Sequence, residues 1–371
     1  MSLTRRTLIV GSTLLPASAA LARAAQKGTG RASGKKAGEA VPDSVKSLSA
    51  PYPSFGSIDR LDPAFDALVS KEAKLEKLAE GFEWIEGPVW LPKEKALLFS
   101  EIPLNTIYRW QEEKGVSLYL KPAGYHGTRT DLKEPGSNGL LLGKKGELIM
   151  AQHGERRLAK LVSLKRPKGK QMPLVEKYDG KRFNSPNDLV MNDKGEIFFT
   201  DPPYGLAKQM DDEGKELEFQ GIYRLDRKGK AHLLYKDMER PNGIGLSPDG
   251  KTLYVANSHE ARPVIMAFDI KDDGSAANPR IFFNGALLRE KDPKLKGAFD
   301  GMAIDKAGNL FATGPGGVLL ITPQGKHLGT ILTGEATANC TFGGADGSVL
   351  YITADMILAR IQTATKGLGF A

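Results

Sequence analysis

The sequence predicts an all-β fold, a six-bladed β-propeller. Three observations predict it: a hairpin pattern that recurs along the 371 residues, a fixed spacing inside each copy, and a distance between copies that suits four strands. Residues 182–206 hold the fullest copy. There Asn187 and Asp188 precede the apolar run Leu189-Val190-Met191, a polar turn occupies 192–195, and 197–200 form a second apolar run, the signature of a β-hairpin. Pro202 and Pro203 cannot donate to a ladder, so the second strand ends at Asp201.

The other copies keep this register. A polar residue opens an apolar run at Asn138, Asn187, Asn242, Asp300 and Asn339, and a glycine stands eight positions later in each: Gly146, Gly195, Gly250, Gly308 and Gly347. A β-rich run follows every glycine. The sixth copy opens at Glu86 in EGPVW and lacks only the turn glycine before its second run, ALLFS. Copies start 39 to 58 residues apart, room for four strands each. Four-stranded units that cannot bury their own faces must stack, and six of them close a ring. Closure needs strands from both chain ends in one blade, so residues 73–79 are expected beside strands within 351–361.

The start of the chain stands apart. Residues 1–24 combine Arg5-Arg6, an apolar stretch over 8–21 and the small-x-small pattern Ala22-Arg23-Ala24, which reads as a cleaved secretory signal peptide of the twin-arginine type. Its apolar core falls short of the ~20 residues that span a bilayer. The mature protein is therefore expected in the periplasm, with no membrane attachment. Residues 25–57 are poor in large apolar groups and read as a flexible linker, leaving 58–371 as one propeller domain.

Charge follows the same division. Residues 1–50 carry +6 of the total +8, so the remaining body is close to neutral. No block of Lys and Arg with interleaved aromatics occurs there, which argues against nucleic acid as a partner. The basic run KRPKGK at 165–170 reads as a solvated loop. The single cysteine, Cys340, excludes an internal disulfide and reads as a small buried hydrophobe. The three tryptophans, Trp84, Trp90 and Trp110, fall in the first copy and read as packing groups.

Geometry converts the repeat into a site. First strands line a propeller's axis and run in one direction, so equivalent positions converge at one end of the channel. The ring is Glu86, Asn138, Asn187, Asn242, Asp300 and Asn339. Two carboxylates and four amides are hard oxygen donors, which suit one divalent cation, calcium, magnesium or manganese, better than zinc or copper. Turn-making does not account for the Asn-Gly and Asp-Gly pairs, because the copies that hold them already have a turn glycine eight residues on.

From about residue 60 onward the sequence resembles the bacterial gluconolactonases of the senescence marker protein, gluconolactonase and luciferin-regenerating enzyme family. The motifs are EGPVW from Glu86, KEPGSNG from Lys133, GKRFNSPNDL from Gly180, FTDPPYGL from Phe199, RPNGIGLSPD from Arg240, DGMAID from Asp300 and GPGG from Gly314. The resemblance implies metal ligands at Glu86, Asn187, Asn242 and Asp300 and a general-base role for Asp300. It leaves Asn138 and Asn339 as pore or substrate contacts; Asn187 is a further candidate substrate contact, and so is His153 from its place near an expected rim loop. Asp201, at the strand end of the third copy, is a second candidate for catalysis. The segment QHGERR from Gln152 departs from the family pattern.

The implied reaction is metal-assisted attack of water on a sugar lactone, D-glucono-1,5-lactone or a relative, opening it to the aldonic acid. Fold alone leaves two alternatives open: a metal-dependent hydrolase of another ester class, such as aryl lactones or organophosphates, and a non-catalytic binding propeller. The irregular segment at 121–137 is expected to cover the channel mouth and shape substrate choice.

Overall fold

The computed structural model describes residues 40–164 and 169–370. The signal peptide, the first part of the expected linker and most of KRPKGK lie outside the described residues. Over the described residues the chain forms six antiparallel sheets in a ring, with inner strands Ile85–Leu91, Ser137–Leu142, Leu189–Met191, Pro241–Leu246, Met302–Ile304 and Thr337–Gly343. These are blades 1 to 6, and neighbouring inner strands touch all the way round. Every polar-first hairpin read from the sequence is the inner pair of a blade.

Alternating side chains fill the spaces between blades. Leu98, Met150 and Leu161 are buried in one such core, and Phe199, Tyr223 and Leu225 in the next. Ring closure is as expected. Leu75–Glu80 pairs with Ile357–Gln362, and Arg360 meets Glu76 at 2.7 Å across 284 positions. Beside this seam Trp90 stacks on Tyr351 with centroids 5.2 Å apart, a contact worth about 0.5–1.5 kcal/mol beyond burial.

The expectation of a linker to residue 57 is corrected over its described part. Lys46–Ser47 adds a fifth strand to blade 6 by pairing with Glu80 and Ala79. Tyr52 is buried against Trp110 and lies under the Arg360 guanidinium. The next strand, Ser57–Arg60, pairs with Gly329 to Leu332 on the outer edge of blade 5. Two outer edge strands offer unpaired ladders, and the segment covers both.

The glycine that follows four of the six ring residues, Glu86, Asn138, Asn242 and Asp300, has a packing reason. The ladder slips between Glu86 and Val89, between Ser137 and Leu140, and between Pro241 and Ile244, where the chain bulges toward the next blade. A Cβ at Gly87, whose φ is +50°, would lie 2.0 Å from the Asn138 carbonyl oxygen. One at Gly243 would lie 1.9 Å from that of Asp300. Only glycine lets neighbouring backbones approach this closely at the axis.

Candidate active site

Five of the six ring residues, Glu86, Asn138, Asn187, Asn242 and Asp300, line one cavity of about 230 Å³ at an end of the channel. The sixth, Asn339, faces a second cavity of about 250 Å³ lined by groups such as Leu140, Ile244 and Phe342. Each ring residue sits where its inner strand starts or bulges, which turns the side chain to the axis instead of into a blade core.

The first cavity carries concentrated negative charge. Burial, then the charge of Asp188, pushes the Glu86 carboxyl up to about 8. Burial and the charges of Glu86, Asp188 and Glu134 hold the Asp300 carboxyl well above the usual carboxylate range. Asn339 bonds to the carboxyls of both Glu86 and Asp188 and so ties the two cavities together. The Oδ1 atoms of Asn138, Asn187 and Asp300 are buried without a hydrogen-bond partner among the described residues. Orphaned oxygens beside two mutually repelling carboxyls form a donor set whose chemistry fits a hard divalent cation. The donors are two acids with amides; no cluster of three or more His, Cys, Asp or Glu suited to a metal occurs among the described residues.

The amides are fixed by a short chain of bonds. Asn187 Nδ2 donates to Asn242 Oδ1 at 2.7 Å, and Asn242 Nδ2 donates to Ser258 Oγ at 2.9 Å. Ser258 in turn donates to the Phe299 carbonyl, beside Asp300.

The comparisons with known proteins fit this geometry. The model of the SMP-30/gluconolactonase/LRE-like region matches residues 84–355, which contain all six ring residues. The chain belongs to the SMP-30/gluconolactonase/LRE-like family. It is 38% identical over 320 residues to the gluconolactonase of Zymomonas mobilis, covering 85% of this chain and 88% of that protein. Identity to the pentonolactonase XacC of Haloferax volcanii is 26%, covering 72% of this chain and 80% of that one. A solved gluconolactonase structure from Xanthomonas campestris superposes with a TM-score of 0.72 at 28% identity, covering 87% of this chain and 99% of that chain.

Two expected contacts of this family member are corrected. Asp201 does not line the cavity: it is fully buried, and its carboxylate accepts from the backbone N–H groups of Asn184 at 2.9 Å and Ser185 at 2.8 Å. Glu101 does the same for Trp84 and Glu83 in blade 1, and Asn257 for Arg240 in blade 4. Each is the last residue of a second strand and holds the segment leading into its own inner strand. Asp201 is thus a structural bracket whose carboxyl burial pushes up to about 7. His153 is 0% exposed and also absent from the cavity wall; its Nδ1 stands 3.0 Å from Glu134 Oε2.

Six further residues complete the wall: Trp84, Glu134, Tyr204, Arg240, Ser258 and Ala298. Trp84 is therefore a cavity group, while Trp90 and Trp110 are buried core. Glu134 lies in the 121–137 segment, which Asn105 secures by accepting from the N–H groups of Ala123, Gly124 and Tyr125 at 3.0, 2.7 and 3.2 Å. No periodicity marks Glu134 in the sequence; its place in KEPGSNG, four residues before Asn138, was the available signal.

Proposed function

We propose that the chain hydrolyses a sugar lactone, D-glucono-1,5-lactone or a close relative, to the aldonic acid, with one divalent cation, calcium, held by Glu86, Asn187, Asn242 and Asp300. The observation that carries this reading is the meeting of two buried, mutually repelling carboxyls with unpartnered amide oxygens on one small cavity. The 38% identity to a gluconolactonase over most of both chains supports the substrate class. Asn242 would offer the oxygen that now accepts from Asn187. When bound, such a cation supplies Lewis-acid contact to the lactone carbonyl and neutralises the two carboxylates.

The chain's own groups supply the rest. A cavity of about 230 Å³ lies below the ~300–1,000 Å³ of sites for drug-sized ligands and suits a single small ring. Tyr204, Ser258 and Asn138 offer hydrogen-bonding groups to ring hydroxyls, Trp84 offers a flat apolar wall, and Arg240 offers a cation to the carboxylate that forms. Export to the periplasm belongs to the same reading and rests on the leader pattern in residues 1–24.

A panel of sugar lactones, aryl lactones and phosphotriesters, assayed with and without chelator, tests the reading. Turnover of gluconolactone above its spontaneous rate, lost on chelation and restored by calcium, is the expected result. Full activity after chelation, or turnover of phosphotriesters alone, would overturn it.

A further inference from the structure

Glu86 and Asp300 are the charges that a divalent cation would neutralise, and a carboxylate whose lone pairs point at a cation is a weak proton acceptor. Glu134 is the remaining carboxylate on the cavity wall. Its side chain is 30% exposed and is held by one contact, Oε2 to His153 Nδ1 at 3.0 Å. The imidazole is fully buried, and neither ring nitrogen completes a hydrogen bond among the described residues, so the 3.0 Å approach of Nδ1 to Glu134 is a close polar contact. Glu134 is the carboxylate that the buried ring approaches.

The backbone around the pair is anchored. Gly136 N–H donates to the Ile102 carbonyl at 3.0 Å, and His153 N–H donates to the Gly136 carbonyl at 3.0 Å. Gly205 presses on the other side of His153, since a Cβ there would come within 2.7 Å of the histidine Cβ. Glu134 therefore projects from an anchored loop onto the cavity wall, with Oε2 3.0 Å from His153 Nδ1.

We propose that Glu134 is the general base of the hydrolysis and that His153 is its positioning residue, an inference that rests on the lactonase function above. Glu134 takes a proton from water as the water oxygen bonds to the lactone carbonyl carbon. The tetrahedral adduct then collapses: the bond from that carbon to the ring oxygen breaks, and the proton on Glu134 passes to the departing ring oxygen, which becomes a hydroxyl. Glu134 returns to the carboxylate, and the new carboxylic acid loses its proton to solvent.

The test uses the calcium-loaded mature protein and gluconolactone. Glu134→Gln is expected to lower kcat by ~10²–10⁴-fold with calcium affinity unchanged. Glu134→Ala is expected to recover part of kcat in added formate, a small carboxylate able to enter the vacated space. His153→Asn, which keeps an N–H near the Nδ1 position, should retain most of kcat. His153→Leu should fall toward the level of Glu134→Gln and add nothing to it in the double variant. If Glu134→Gln keeps wild-type kcat while Asp300→Asn loses it, the base assignment is overturned and the metal lactonase stands. Loss of calcium binding in Glu134→Gln, or no rescue of Glu134→Ala by formate, also overturns it. Wild-type protein inert toward every lactone would overturn the parent function instead.

Discussion

Asn187 donates its side-chain amide to the side-chain oxygen of Asn242 at 2.7 Å, joining the inner strands of blades 3 and 4 across 55 positions of sequence. The bond fixes both amides, leaving Asn187 Oδ1 for the cavity. Asn187→Ala removes an oxygen donor and strands Asn242 Oδ1, so calcium affinity is expected to fall about tenfold or more, roughly 1.4 kcal/mol. Asn242→Asp keeps an acceptor and adds charge, so affinity should survive while kcat falls with the weaker Lewis acidity. Calcium titration calorimetry beside steady-state kinetics checks both; unchanged affinity in Asn187→Ala would remove it from the ligand set.

Asp300→Asn is expected to separate stability from activity. Without metal it relieves the repulsion with Glu86 and should raise Tm, while calcium binding and lactone hydrolysis are lost. A lower Tm in the metal-free variant would show that the two carboxyls do not oppose each other.

The pH dependence follows from Glu86, pushed up to about 8 by burial first and Asp188 second. A carboxyl raised in the folded state contributes stability that is complete below its unfolded value, near 4.5, and is lost as pH climbs through about 8. Metal-free protein should therefore lose several degrees of Tm between about pH 5 and 9. Added calcium should stabilise most at the alkaline end, because there it no longer displaces a proton. Thermal melts across pH, with and without chelator, measure this; a calcium effect independent of pH would contradict it.

Asn105→Ala tests the mouth segment. The N–H groups of Gly124 and Tyr125 lose their acceptor, while Ala123 keeps its bond to the Asn105 backbone carbonyl, at a cost of about 1–3 kcal/mol, yet the blades do not depend on them. KM for gluconolactone should rise and preference among lactones should change, with the far-ultraviolet spectrum intact. Global unfolding at room temperature would assign the segment to the scaffold.

The ring of the candidate site was legible because symmetry wrote it repeatedly: Asn138, Asn187 and Asn242 share one phase, and no local turn needed them there. What the repeat could not reveal lies off it. Glu134 and His153 lie on irregular segments and meet through space at 3.0 Å, a relation with no sequence period. Asp201 misled because an Asp before two prolines marks a strand end without telling what its carboxylate binds; only the bonds to Asn184 and Ser185 do. Composition likewise hid Tyr52, whose burial depends on edges supplied by residues at the far end of the chain.

Blade 6 imposes an order on assembly. Its strand Ile357–Gln362 lies between Val349–Ala354 of its own hairpin and Leu75–Glu80 from the chain's start. While the chain is being made, blades 1 to 5 can form in turn, but the ring has no latch until Ile357–Gln362 has left the ribosome. Before that moment the edge of Leu75–Glu80 that Ile357–Gln362 covers faces any other strand in the cell, so the dangerous interval for misassociation lasts until that strand is made.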